Sequence, residues 1–346
     1  MKKVSLADVA KSLGVSKTLV SLVLNDKGDN VGISATTQEK VRKAALDMNY
    51  KPNQFARGLR IGKSNVIGLI VSDISNPFYA RMCKSVEDYL NSKGYNLIIC
   101  SSDEDPKKES YLADMLIERH VDGLILSSSQ EDSKTIKELN KSNFPLVLID
   151  RHSPKIKTNH VVVDNSEGAH KGVEHLVNLG HTKIGYFTVS PSHISTIKDR
   201  TNGYKKALKA CGVRYNSSLV REIPFENIKE GVAKELKELI SPPHSISALF
   251  TVNNNVAVAA LEALSEMGIR IPQDLALVSF DDIDAFKLCY PPVTAIRQPI
   301  EEMGIKAAQV LLEVIESDDN SKEPLEVCLS TELIVRKSCG QFLTEL

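Results

Sequence analysis

The sequence predicts an α/β protein in two parts: an all-α N-terminal head, then a two-lobed, doubly wound parallel-sheet body. Three observations carry this. Residues 5–50 read as short helices with no strand signal. From Val66 onward, short apolar runs alternate with helix-length amphipathic segments, the pattern of a parallel sheet covered on both faces. The charge also changes sign between the parts: residues 1–63 hold twelve Lys/Arg against five Asp/Glu, and the remainder holds 31 against 39. A basic head on an acidic body points to a polyanion that meets the head alone.

The chain has 346 residues, more than a single core usually supports, with 42% hydrophobic and 25% charged residues. That composition buries a sizeable core and excludes a disordered chain. The six cysteines (Cys83, Cys100, Cys211, Cys289, Cys328, Cys339) form no CxxC pair and sit beside no His cluster. They read as buried free thiols of a reducing compartment. The N-terminus has no apolar signal core, and no apolar run reaches the roughly 18 residues of a membrane span, so a cytoplasmic protein is expected.

In the head, residues 5–25 (SLADVAKSLGVSKTLVSLVLN) are the most informative. Ser5 caps a first helix, with Asp8 at capping-box spacing. Leu6, Val9, Ala10 and Leu13 then share one face. Gly14 ends the helix, since glycine takes the left-handed turn conformation cheaply. Ser16 caps a second helix that buries Val20, Val23 and Leu24. Small Ala10 permits a close crossing. This is a helix-turn-helix layout, with a third helix over 36–49. The second helix leaves Lys17, Thr18, Ser21 and Leu22 outward, where such proteins meet base edges in the major groove. Ser5, Ser16 and Asn25 are placed for phosphates. A helical bundle with no DNA role is the plainer alternative, and the charge asymmetry opposes it.

In the body, strands are expected at 66–71, 96–100, 123–127, 145–150, 160–164, 183–187, 247–251 and 275–280. Helices are expected at 77–93, 106–119, 166–179, 199–210, 228–240 and 254–267. That is too many strands for one comfortable sheet. Two similar lobes face each other across a cleft at the strands' carboxyl ends, where open α/β sheets bind ligands.

No phosphate loop, GxGxxG, GxSxG or HExxH occurs, so neither enzyme nor cofactor is expected. Asp281 and Asp282 are adjacent at a strand end and point apart, so they make no acid/base pair. Asn76, Asp150, Arg151, Arg200, Asn253, Asp281 and Gln298 stand at strand ends, with the aromatics Phe78, Tyr79 and Phe225 nearby. Carboxylates, guanidiniums and amides that pair with vicinal hydroxyls, beside rings for an apolar sugar face, suit a monosaccharide. Each residue alone reads equally well as a helix cap or an ion-pair partner.

Residues 4–25 and the stretch NYKPNQFARGLR (49–60) resemble the LacI/GalR repressor family. The resemblance continues in order through IGLIVSDISNPFYA, LIDRH, LGHTKIGYF, LFTVNN, ALEALSEMGIRIPQDLALVSFDD and PPVTAIRQP. It implies a head at 1–50 and a hinge helix within 51–63, whose Asn53, Ala56 and Leu59 meet the DNA and whose Leu59 wedges into the minor groove. It implies an effector and dimerisation domain at 64–346, with lobe 1 over about 64–163 and 294–326 and lobe 2 over about 164–293 and 327–346. That body resembles periplasmic sugar-binding proteins of the ribose-binding type, where the strand-end residues above match sugar contacts.

The implied protein is a homodimeric, effector-controlled repressor on a pseudo-palindromic operator, with a sugar or sugar derivative as effector. The alternatives are a purine-responsive repressor and a sugar-binding module without a DNA role. No sustained leucine heptad follows at the C-terminus, so no tetramerising coiled coil is expected. Three positions depart from the family: Leu22 where a polar base reader is usual, a long turn at 26–34, and Asn254 in place of an aspartate.

Overall fold

A computed structural model of the chain describes residues 4–50, 63–132, 134–317 and 323–340. The chain divides into two compact units, Met1–Ser64 and Asn65–Leu346. Among the described residues no helix is long and apolar enough to cross a membrane.

The first unit holds helices α1 (Leu6–Leu13), α2 (Lys17–Leu24) and α3 (Ala35–Asp47). Each begins at a serine whose hydroxyl accepts a backbone N–H of the first turn: Ser5, Ser16 and Ser34. Ser5 and Asp8 close a reciprocal capping box, and Gly14 ends α1 at φ +64°. Val9, Ala10, Val20, Val23, Val41 and Ala45 form the small core. The long turn is ordered by α3. The Gln38 amide donates to Asp29 Oδ1 at 2.7 Å and to the Ile33 carbonyl at 2.9 Å, while Arg42 reaches Asp26 at 2.9 Å.

The second unit contains two six-stranded sheets. One has the order β11-β5-β4-β3-β1-β2 and the other β12-β10-β9-β8-β6-β7. The first sheet comprises β1 (Val66–Val71), β2 (Asn96–Ser101), β3 (Gly123–Leu126), β4 (Leu146–Ile149), β5 (Asn159–Val163) and β11 (Glu326–Leu329). The second comprises β6 (Ile184–Ser190), β7 (Val220–Pro224), β8 (Ala248–Thr251), β9 (Ala276–Phe280), β10 (Thr294–Arg297) and β12 (Glu332–Ile334). Neighbouring strands run parallel except β12, which is antiparallel to β10.

Both faces of the first sheet are covered. Ile67, Leu69 and Val71 of β1 join one cluster with α4 (Pro77–Ser92) and α12 (Ile300–Glu316). Ile70 turns the other way, toward α5 (Pro106–Glu118) and α6 (Lys134–Lys141). This alternation is the period of two that makes a strand buried on both faces apolar throughout. The second sheet packs against α7 (Asn165–Asn178), α8 (Ser195–Ala210), α9 (Ile228–Ile240), α10 (Asn254–Glu266) and the short α11 (Asp284–Leu288).

The expected lobe boundaries need correction. Residues 294–297 were assigned to lobe 1, yet they form β10 beside β9 in the second sheet. Residues 327–329 were assigned to lobe 2, yet they pair with β5 in the first. The chain therefore crosses between the sheets after β5, β10 and β11. The reason is pairing: β10 and β11 are placed by the strand each lies beside, which no local pattern reports. β7, β10, β11 and β12 carry no long apolar run. Three of them are sheet edges and β10 lies next to one, with residues such as Glu326 and Glu332 exposed. The cysteine expectation is also only partly met. Cys83 and Cys339 are buried, but Cys328 is exposed because it faces outward from edge strand β11.

Candidate functional site

In the head, Lys17 and Thr18 occupy the first turn of α2 and are exposed, while Ser21 and Leu22 are half-exposed one turn on. Ser16 Oγ accepts from the Leu19 amide at 3.1 Å, which leaves its own hydroxyl proton free to donate. Ser5 is engaged twice within its own cap, accepting from the Asp8 amide and donating to the Asp8 carboxylate at 2.6 Å. Asn25 donates to the Ser21 carbonyl at 2.6 Å and ends the helix. Lys11, Lys17, Lys27, Lys40 and Lys43 are exposed on this unit. The hinge positions Asn53, Ala56 and Leu59 lie outside the described residues.

In the body, the ten expected effector residues lie in loops and helices that follow the strands' carboxyl ends, and they come from both sheets. From the first sheet, Asn76 caps α4 by accepting from the Phe78 amide at 3.0 Å, which sets Phe78 and Tyr79 in the first turn. Asp150 and Arg151 follow β4 and are buried. From the second sheet come Asp281 after β9, Gln298 after β10, and Arg200 within α8. Asn253 caps α10 through the Val256 amide at 3.0 Å, so its carboxamide oxygen is already used. Phe225 follows the carboxyl end of edge strand β7 and is half-buried.

The charged groups are arranged in pairs. Tyr79 donates its hydroxyl to Asp150 Oδ2 at 2.8 Å, and burial pushes that phenol far up. Burial also raises Asp150, against the pull of the Arg151 and Arg200 guanidiniums. Arg200 lies over the Phe280 ring, 3.7 Å from its centroid. It donates to Asn165 Oδ1 at 2.8 Å and to the Val252 carbonyl at 2.9 Å, and approaches Asp281 Oδ2 at 3.7 Å. Gln298 donates to Asp281 Oδ1 at 2.5 Å. Asp282 is held by Arg297 and Arg336, so the adjacent carboxylates serve separate partners as expected.

Among the described residues, four polar contacts join the lobes across the cleft. Asn254 donates to Asn76 Oδ1 at 3.1 Å, and Arg81 pairs with Asp284. The His152 amide donates to Ser195 Oγ at 3.1 Å, and the His193 ring lies 3.0 Å from the Ser129 carbonyl. Between them are two cavities. One is lined by Ser128, Gln130, Arg151, His152, His193 and Ser195 among others. The other is lined by Phe78, Arg81, Asp281 and Gln298 among others. Arg151 Nε, Asn254 Oδ1 and Gln298 Oε1 are buried here without a hydrogen-bond partner. Unpaired buried polar atoms are costly, and three of them around one cleft mark a place for a polar molecule.

Sequence reasoning missed several of these groups. Glu104, which pairs with Arg151, and Asn165, Ser195 and Phe280 have no local pattern that sets them apart. Asn254 was visible only as a departure from the family pattern.

Known proteins share this arrangement. Residues 5–53 match the family described as bacterial regulatory proteins, lacI family, and residues 173–339 match the periplasmic binding protein-like domain. The chain is 33% identical to the HTH-type transcriptional regulator DegA of Bacillus subtilis, over 99% of this chain and 100% of that one. It is 31% identical to the HTH-type transcriptional repressor PurR of Aliivibrio salmonicida, over 96% and 98%. Among solved structures, the Lac repressor dimer bound to operator and the anti-inducer ONPF superposes with TM-score 0.84 at 25% identity, covering 98% of this chain and 99% of that one. The regulator CelR in complex with cellobiose gives 0.72 at 28%, covering 97% and 100%. A LacI family regulator of Enterococcus faecium with bound ribose gives 0.69 at 29%, covering 79% and 98%.

Proposed function

This chain belongs to the lacI family of bacterial regulatory proteins, and from that premise we propose that it is a homodimeric repressor whose affinity for operator DNA is set by a small sugar in the interlobe cleft. It is a DNA-binding transcriptional regulator. The finer reading rests on one observation above the others: Asp150, Arg151, Arg200, Asp281 and Gln298 meet at a single cleft that still holds unpartnered buried polar atoms. A monosaccharide supplies what they lack, because each hydroxyl both donates and accepts. The carboxylates accept from hydroxyls, Arg151 Nε donates, and the Phe78 ring lies against the apolar face.

In the same reading, Lys17, Thr18, Ser21 and Leu22 read base edges, Ser16 donates to a phosphate, and Ser5 and Asn25 set the ends of the helices they cap. Asn53, Ala56 and Leu59 act in the minor groove as hinge residues. Two heads on a twofold dimer read two half-sites of a pseudo-palindrome, as the operator complex of the Lac repressor dimer suggests. The sugar acts through its different affinity for the states that do and do not fit the operator.

Two measurements test this. Selection from a random DNA pool returns a pseudo-palindrome if the head reading holds. Calorimetry against pentoses, hexoses, their phosphates and purines returns binding by a free sugar if the cleft reading holds. Silence from every sugar defeats the sugar reading, and binding by a purine alone replaces it.

A further inference from the structure

Arg151 lines the cleft immediately after Asp150 at the end of β4. Yet both of its terminal nitrogens are taken. Nη1 donates to Glu104 Oε2 at 2.7 Å and Nη2 to Glu104 Oε1 at 2.6 Å, a two-pronged pair with side chains 10% and 12% exposed. Only Nε is left, buried, unpartnered, and 3.8 Å from Asp150 Oδ2.

Glu104 is brought there by its loop. It follows β2 with a left-handed backbone (φ +58°), and its amide donates to the Ser72 carbonyl at 3.2 Å. The next residue, Asp105, caps α5. Burial opposes the charge on Glu104, but the Arg151 guanidinium holds its carboxyl below the ordinary range, so the pair is ionised. The second guanidinium, Arg200, faces Asp281. At the cleft Arg151 thus faces Glu104 and Asp150, Arg200 faces Asp281, and Arg81 pairs with Asp284, so each of these guanidiniums already has a carboxylate beside it.

We propose that Glu104 is a specificity-determining residue: by occupying the Arg151 fork it makes the cleft take an uncharged polyol and reject its phosphate ester. An arginine fork left open binds phosphate or carboxylate two-pronged. Closed by Glu104, it offers one N–H, which suits a hydroxyl. An anion in the cleft meets Asp150 and Asp281 with no unmatched guanidinium to offset them. The choice of uncharged sugar rests on the sugar reading above, whereas the rejection of anions does not.

The test uses the full chain and Glu104→Gln at pH 8. D-ribose and D-ribose 5-phosphate are titrated by calorimetry, and inorganic phosphate is followed by the shift in melting temperature. The unaltered protein is expected to bind ribose at least about tenfold tighter than its phosphate, and Glu104→Gln to narrow that ratio at least about tenfold, the change expected when about 1.4 kcal/mol of charge repulsion is lost. Inorganic phosphate should stabilise Glu104→Gln and leave the unaltered protein where it was. Glu104→Asp, which keeps the charge, should continue to exclude phosphate. An unaltered protein that is stabilised by phosphate, or prefers the phosphate ester, overturns the proposal whether or not the variants fold. Silence from both sugars with the phosphate contrast intact supports it and removes only the sugar reading.

Discussion

Asp150 and Asp281 occupy equivalent places in the two sheets. Each follows the third strand from one edge, β4 and β9, and each has a left-handed backbone, φ +66° and +69°. The shared conformation turns both carboxylates off the strand ends into the same cleft, close enough that Asp281 contributes to raising Asp150. Aspartate and asparagine are the non-glycine residues that tolerate this backbone most readily.

That relationship separates charge from shape. Asp150→Asn and Asp281→Asn keep the backbone conformation and remove one carboxylate each. Each should weaken effector binding by about 10- to 100-fold, as expected for losing a hydrogen bond to a charged group. Melting temperature without effector should also fall, because each carboxylate faces a buried guanidinium, so affinities are compared where both variants are folded. Calorimetry and a thermal melt on the same samples check this, and unchanged affinity in both variants would remove the carboxylates from the site.

Asp282 predicts an acid-sensitive joint. It accepts from Arg297 at 2.8 Å and from both terminal nitrogens of Arg336 at 2.8 Å, tying β9 to β10 and to the segment after β12. Burial works against its charge, but the two guanidiniums hold the carboxyl below its usual value. A depressed folded-state value means the stabilisation is complete above about pH 4, where the unfolded carboxyl titrates, and fades as pH falls through the folded-state value. Asp282→Asn should cost about 3 kcal/mol at pH 7, the lower end for breaking a buried pair, because Arg297 is partly exposed. Urea unfolding at pH 7 and pH 3 should show the gap between the two proteins shrinking in acid.

Gly203 predicts a packing limit. A Cβ there would sit 2.2 Å from the Ser166 carbonyl oxygen, where α8 crosses α7. The obstacle is backbone, so no rotamer change relieves it. Gly203→Ala should destabilise the body by about 1–3 kcal/mol, the usual range for overpacking. Gly212→Ala meets open space and carries only the left-handed backbone penalty of about 1–2 kcal/mol. Denaturant midpoints of the two variants check the order.

The head yields a prediction about sequence preference. Leu22 is apolar where the family usually places a polar reader, so it contacts only groups such as a thymine methyl. Leu22→Arg should shift the preferred base at one position per half-site. Lys17→Ala should either relax one base position or weaken all sites alike, according to whether it holds a base or a phosphate. Selection from a random pool with each variant reads both; an unchanged preferred sequence for Leu22→Arg would take that residue off the base edges.

Most of the fold was legible because its causes are local. Ser5, Asp8, Gly14 and Ser16 announce two helices and a turn within twelve residues. The buried runs of β1, β3, β4, β6, β8 and β9 identify themselves by apolar content. Of the candidate site, the sequence placed Asp150, Arg151, Arg200, Asp281 and Gln298 at strand ends, and the structure brings these side chains near one another. Phe225 also follows a strand, the edge strand β7.

The sequence alone therefore determined the helical head, the alternating body and the charge that separates them, since caps, periodicity and composition act over a few residues. The tertiary structure decided what depends on distant partners. It assigned β10 and β11 to their sheets, brought Gln38 under the long turn, and carried Glu104 across 47 positions to close the Arg151 fork. A buried charge is set by what lies opposite it in space, and only the packed sheets specify that.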